Sequence, residues 1–199
     1  MEIFARTGQF AKQILFSSRQ GLYEVLEYES TLELLDRKGE KAIFKKRQKV
    51  RYLQDNIIAY MDQAWGDGKF LVDYRCSPGA AVDQYRFGHK TYILISLREV
   101  KQRGDSDEFI IERKIKNGFL RQQEQWETDI NHPTRQVVLR LIFPKGRPPM
   151  QVEMVENIRQ KTTLVNDSNQ RQLPDGRWQV TWKTDNPRLN ERYVLKWEW

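Results

Sequence analysis

Between Leu26 and Leu35 the apolar residues Leu26, Tyr28, Leu32 and Leu34 fall on even positions, and the acids Glu27, Glu29 and Glu33 fall on odd ones. A period of two marks a strand with one buried face, because successive side chains leave a strand on opposite sides. Residues 41–53 answer with the opposite charge: Ala42, Phe44, Val50 and Tyr52 are even, and Lys45, Arg47, Lys49 and Arg51 are odd. The segment between them, Asp36-Arg37-Lys38-Gly39-Glu40, reads as a turn whose three-residue loop, Arg37-Lys38-Gly39, puts Gly39 in the left-handed position. That register sets Glu27 opposite Lys49 and Glu29 opposite Arg47, so turn chemistry and charge pattern agree on one hairpin, with Leu26, Tyr28, Leu32 and Leu34 inward.

The rest of the chain keeps this character. Residues 56–63 fit a strand or a helical turn, Trp65-Gly66-Asp67-Gly68 is a turn, and 69–75 is a strand stopped by Ser77-Pro78-Gly79. Residues 91–100 and 108–115 read as a hairpin across Arg103-Gly104-Asp105. After Asn117-Gly118, 125–130 is a strand. Residues 135–143 place Val137, Leu139, Leu141 and Phe143 on one face and Val138 and Ile142 on the other, as in a central strand covered on both sides. Residues 151–155 and 161–165 are weaker strands. Residues 178–183 and 192–199 are strong ones; paired across Asn186-Pro187, they would gather Trp178, Val180, Trp182, Leu195, Trp197 and Trp199 on one face. That indole wall reads as core rather than as an exposed platform for stacking sugars, since an exposed apolar patch of that size is rare on a monomer. Roughly ten short strands at spacings of ~8–12 residues mark an all-β chain, an antiparallel β-sandwich of immunoglobulin-like or jelly-roll type.

Ahead of it, Ile3, Phe4, Phe10, Ala11, Ile14 and Leu15 recur at helical spacing and predict one short amphipathic helix. The organisation expected is therefore a helical appendage at 1–21 and a sandwich domain at 22–199. A length of 199 residues suits that division.

Chemistry is sparse. The single Cys76 cannot form an internal disulfide, which points to a reducing, cytoplasmic compartment. No apolar run is long enough for a membrane span. His89 and His132 belong to no metal-ligand spacing and read as loop residues. Cys76, ending a strand, reads as a small buried hydrophobe rather than a nucleophile. Asp62, Asp67 and Asp73, and Asp105, Asp107 and Glu108, lie beside glycines, where acids most often stabilise turns. No catalytic residue, metal or cofactor is assigned. The net charge of +7 allows non-specific attraction to polyanions, and Lys45, Arg47, Lys49 and Arg51 could track a nucleic-acid backbone, although Glu27 and Glu29 across the hairpin offset that row.

These observations favour a non-catalytic binding module or accessory subunit that contacts another protein through a loop-bearing end, with Trp65, Asp67, Tyr85, Arg86 and Phe87 as partner-binding residues; exposed Tyr and Arg often anchor interfaces. A nucleic-acid-binding accessory protein and a hydrolase or carbohydrate-binding sandwich are the alternatives.

Overall fold

The computed structural model describes residues 21–199; the helix expected at 1–21 lies almost wholly outside the described residues. Among the described residues, fourteen strands form two layers. One layer is a seven-stranded sheet in the order β12 (Gln170–Gln172), β13 (Trp178–Asp185), β9 (Gln136–Phe143), β1 (Tyr23–Leu34), β2 (Lys41–Tyr52), β7 (Ser106–Lys116) and β4 (Lys69–Ser77). The other layer is split. A four-stranded sheet, β11 (Lys161–Leu164), β10 (Gln151–Glu156), β14 (Arg192–Glu198) and β8 (Gln123–Asp129), covers one end of the large sheet. A three-stranded sheet, β3 (Ile57–Ala64), β6 (Lys90–Lys101) and β5 (Ala80–Phe87), covers the other.

The two cores follow from this split. Leu32, Leu34, Phe44, Leu139, Leu141 and Phe143 pack against Met154, Leu195, Trp197 and Trp199 under the four-stranded sheet. Tyr23, Val25, Val50, Phe109 and Ile111 pack against Tyr60, Ile93, Ile95 and Leu97 under the three-stranded one. Tyr28 and Phe70 touch both clusters. Since β2 contributes Phe44 to one core and Val50 to the other at the same parity, both small sheets sit on one face of the large sheet.

The β1–β2 hairpin has the expected register, with Glu27 opposite Lys49 and Glu29 opposite Arg47, and Gly39 adopts φ +73°. A bulge between Val25 and Glu27 shifts the pairing beyond it. Tyr23 and Val25 therefore take the inward positions there, and Leu26, expected inward, is only half-buried.

Three further expectations are corrected. Residues 90–101 and 106–116 are not a hairpin: β6 pairs with β3 and β5, β7 pairs with β2 and β4, and Arg103-Gly104-Asp105 carries the chain from one layer to the other. Likewise β13 and β14 do not pair. Trp182 lies opposite Leu139 in the large sheet, and it meets Tyr193 across the layers with ring centres 4.9 Å apart. The tryptophans are core as expected, but they face each other from opposite layers. Finally, β9 buries Val137, Leu139, Leu141 and Phe143 inward, whereas its other face is only partly covered, with Val138 buried and Ile142 half-buried. It pairs parallel with β1, so the large sheet is mixed.

The outer face of the large sheet is a ladder of ion pairs. Arg47 reaches Glu27 at 2.8 Å and Glu108 at 2.8 Å, Arg140 reaches Glu29 at 2.9 Å, and Lys45 reaches Glu112 at 3.3 Å. Each is at least partly exposed and contributes little individually. Together they leave the surface electrically mixed.

Candidate functional site: the groove between the small sheets

Where the second layer splits, a groove of about 1180 Å³ opens above the large sheet. Its floor is Tyr28, Leu32, Phe44, Lys46, Phe70 and Arg113; the three-stranded sheet and its turns supply Gln63, Trp65, Arg86 and His89; β8 and β14 supply Glu124, Trp126, Glu127 and Arg192. The strands explain the polar floor. Neither small sheet covers β1, β2 and β7 completely at the seam, so inward positions that would otherwise be aliphatic carry Lys46 and Arg113 in the floor, with Ser30 and Gln48 buried on the same strands outside the groove lining.

Lys46 and Asp62 form a buried ion pair, 8% and 3% exposed. Tyr74 donates its hydroxyl to Asp62 at 2.9 Å, and Tyr60 donates to Gln48 at 3.0 Å. Burial alone would lower the Lys46 ammonium's pKa, but the adjacent Asp62 carboxylate outweighs it and the net shift is upward. Burial raises Tyr60 and Tyr74 far above ordinary phenols, so both remain donors at neutral pH. Arg113 differs. It is 6% exposed, donates to the Phe70 carbonyl and lies 4.5 Å over the Phe44 ring; burial lowers it to about 10.

At one end the groove is bridged by charge. Lys90 pairs with Asp129 and lies 4.5 Å over the Trp65 ring, while Arg192 donates to Asp129 at 2.8 Å and 3.4 Å. Burial would raise the Asp129 carboxyl, but its bonds from Arg192 and Lys90 hold it below the usual range. From Trp65 the turn to Gly68 runs on to pack against the β7–β8 loop. A Cβ on Gly68 would stand 2.3 Å from the Lys116 carbonyl, and Arg121 reaches Asp67 at 3.5 Å. Burial raises Glu124, which accepts the Arg121 amide at 2.6 Å.

Among the described residues the β8 wall has a free backbone edge. Trp199 N donates to Gln122 O at 3.2 Å and Ile130 N to Glu191 O at 2.9 Å, so even-numbered residues of β8 bond to β14. The N–H and C=O groups of Gln123, Gln125, Glu127 and Asp129 then point the other way, where no described strand pairs with them.

Of the residues singled out from sequence, Trp65, Asp67 and Arg86 line the groove. Phe87, 75% exposed, tips the β5–β6 turn, and Tyr85 stacks on Tyr92 at 5.1 Å. Lys45, Arg47, Lys49 and Arg51 lie on β2 at the parity opposite the floor, within the ion-pair ladder. Asp62, expected to stabilise a turn, instead lies buried in β3; Lys46, Arg113 and Trp126 were not assigned to a site, although their inward parity beside apolar neighbours was readable. Cys76 is half-buried and its thiol is pushed up by burial. His132 stacks on Tyr23 at 4.2 Å, and burial lowers it to about 4. Among the described residues no cluster of three or more His, Cys, Asp or Glu side chains could hold a metal ion, and no helix is long and apolar enough to cross a membrane.

No protein-family model matches the chain, and comparison with curated proteins gives no match. Among solved structures it is similar to a candidate protease from Parabacteroides distasonis, with a TM-score of 0.55 and 8% identity over 89% of this chain and 40% of that one. It also matches an M1 zinc metallopeptidase from Deinococcus radiodurans, TM-score 0.46 and 10% identity over 87% of this chain and 42% of that one. A mutant of that metallopeptidase bound to a Tyr-Ser-Ala substrate gives 0.49 at 10% identity, over 88% and 43%. The chain spans less than half the length of each. At such identities the likeness to the first is one of fold alone.

Proposed function

We propose that this chain is a non-catalytic β-sandwich binding module, an accessory subunit whose groove takes an extended segment of a partner polypeptide. The observation that carries the reading is the free edge of β8 bordering a deep groove walled by Trp65 and Trp126. An extended chain added there gains main-chain hydrogen bonds from the edge and pockets for alternate side chains. The groove is also larger than most small-molecule sites, which run to about 1,000 Å³. The raised Cys76 thiol and the neutral, stacked His132 favour a binding role over nucleophilic catalysis. The similar fold within a longer candidate protease is in keeping with a module that handles polypeptide.

Selection of displayed heptapeptides tests this reading. Gln125→Pro removes an outward N–H from an edge strand, a place where proline is tolerated, and Trp65→Ala removes a wall. Each variant should lose the selected peptides while keeping the wild-type melting temperature. Equal binding by wild type and both variants would refute the groove as the site.

A further inference from the structure

Arg113 stands on β7 opposite Phe44 of β2, in the floor of the groove. Its guanidinium carries five N–H donors, and one of them is used, on the Phe70 carbonyl. No carboxylate among the described residues pairs with it. The other buried cation of the floor, Lys46, has Asp62, and Arg47, Arg140, Arg177 and Arg192 all have acids within 3.5 Å. A buried cation with no carboxylate in contact is costly, even with the Asp62 charge acting on it from beyond contact distance, and here it sits where the groove reaches it.

We propose that Arg113 is the floor of a carboxylate site, and that the polypeptide seated along β8 places an Asp or Glu side chain on its unused donors. This rests on the reading of the groove as a polypeptide site. The geometry joins the two features. Trp126 of β8 meets the Phe44 ring edge-on at 5.7 Å, and Phe44 carries Arg113 at 4.5 Å, so one contiguous row runs from the β8 edge to the guanidinium. A strand added to β8 would lie ~4.8 Å beyond it and direct alternate side chains across the ~10 Å interlayer space toward the large sheet. A carboxylate matches the planar guanidinium fork and brings the single negative charge that the floor lacks.

The test uses the whole protein and its Arg113→Met variant, which keeps the length of the side chain without the charge. Two pools of acetylated, amidated heptapeptides, randomised except for a central Glu or a central Gln, are titrated, together with acetate and inorganic phosphate read out on the Arg113 Nε–H resonance against a chloride control. The Glu pool should bind wild type about thirtyfold or more tightly than the Gln pool, and Arg113→Met should bind both alike with an undiminished melting temperature. Acetate should shift the Arg113 resonance saturably and at lower concentration than phosphate. Equal binding of the two pools by wild type, or a melting temperature lowered by several degrees in Arg113→Met, would overturn the proposal, the latter by showing a structural role. Phosphate binding tighter than acetate would overturn the carboxylate assignment. If no peptide binds but acetate still shifts Arg113, the anion site stands and the polypeptide reading falls; if acetate also fails, the site falls with it.

Discussion

Breaking the Lys46–Asp62 pair should destabilise the protein more than any change on its charged outer face. Both groups are over nine-tenths buried, so Asp62→Asn leaves an ammonium in the interior without its counter-charge, a loss of about 3–5 kcal/mol. For a chain of this size each kcal/mol moves the melting temperature by roughly 2–4 °C, so the midpoint should fall by roughly 6 °C or more. Lys46→Met alone should cost a similar amount by stranding the carboxylate. The double variant Lys46→Met, Asp62→Asn removes both charges and keeps an amide oxygen to accept the Tyr74 hydroxyl. It should recover most of the loss, giving a coupling energy of at least ~2 kcal/mol. Because the Lys46 pKa in the folded state is raised above its ordinary 10.5, the pair's contribution is complete at neutral pH and is lost only as pH rises through that higher value. Urea unfolding of the four proteins at pH 7.5 measures the cycle. Additivity within ~0.5 kcal/mol would show that the two charges do not depend on one another, and the seam would then be held by packing alone.

Four other perturbations follow from the same physics. His132 is lowered to about 4 from 6.5, so the folded state holds it neutral and stability should decline as pH falls from 6.5 toward 4, by about 2 kcal/mol allowing for its partial exposure; His132→Phe, which can still stack on Tyr23, should lack that component in acid titrations of unfolding. Trp197→Ala, removing a side chain 3% exposed that packs on Phe119 and Phe143, should cost about 3–5 kcal/mol in urea, and a loss under ~1 kcal/mol would contradict its place in the core. Gly39→Ala would place a Cβ 1.6 Å from the Phe119 carbonyl at φ +73°, so it should destabilise by more than ~1 kcal/mol; a neutral result would mean that the loop moves freely. Glu27→Gln with Glu29→Gln and Glu108→Gln should free Arg47 from all three of its acids and raise retention on a DNA column at low salt; unchanged elution would show that the β2 row does not reach phosphate.

How far the sequence was legible depends on what each residue pair shares. The β1–β2 hairpin was readable because its pairing is local: Gly39 and facing charges specify one register within thirty residues. The supposed 91–115 hairpin failed because two adjacent strands with a Gly-Asp turn look alike whether they pair or change layer, and only long-range partners decide. Here β6 chose β3 and β5, and β7 chose β2 and β4. The pairing assumed for the last two strands failed the same way, though their tryptophans were rightly assigned to the core.

The groove was half legible. Trp65, Asp67 and Arg86 drew notice as loop residues, and they do line it. Its floor is hard to see in the sequence because a charged side chain at inward parity, such as Lys46 between Lys45 and Arg47, looks like part of the outer basic row until the long-range cover of the strand is known. Ser30, Lys46, Gln48, Asp62, Arg113, Glu124 and Thr128 are all buried on the inward side of their strands. A continuous covering sheet would make such positions costly unless each were hydrogen-bonded. Where the cover is split, they are needed, because the seam admits polar contacts that an aliphatic floor could not make. A run of polar residues at inward parity, spread over several strands, is therefore the sequence mark of a divided layer, and here three of its members, Lys46, Arg113 and Glu124, line the groove itself.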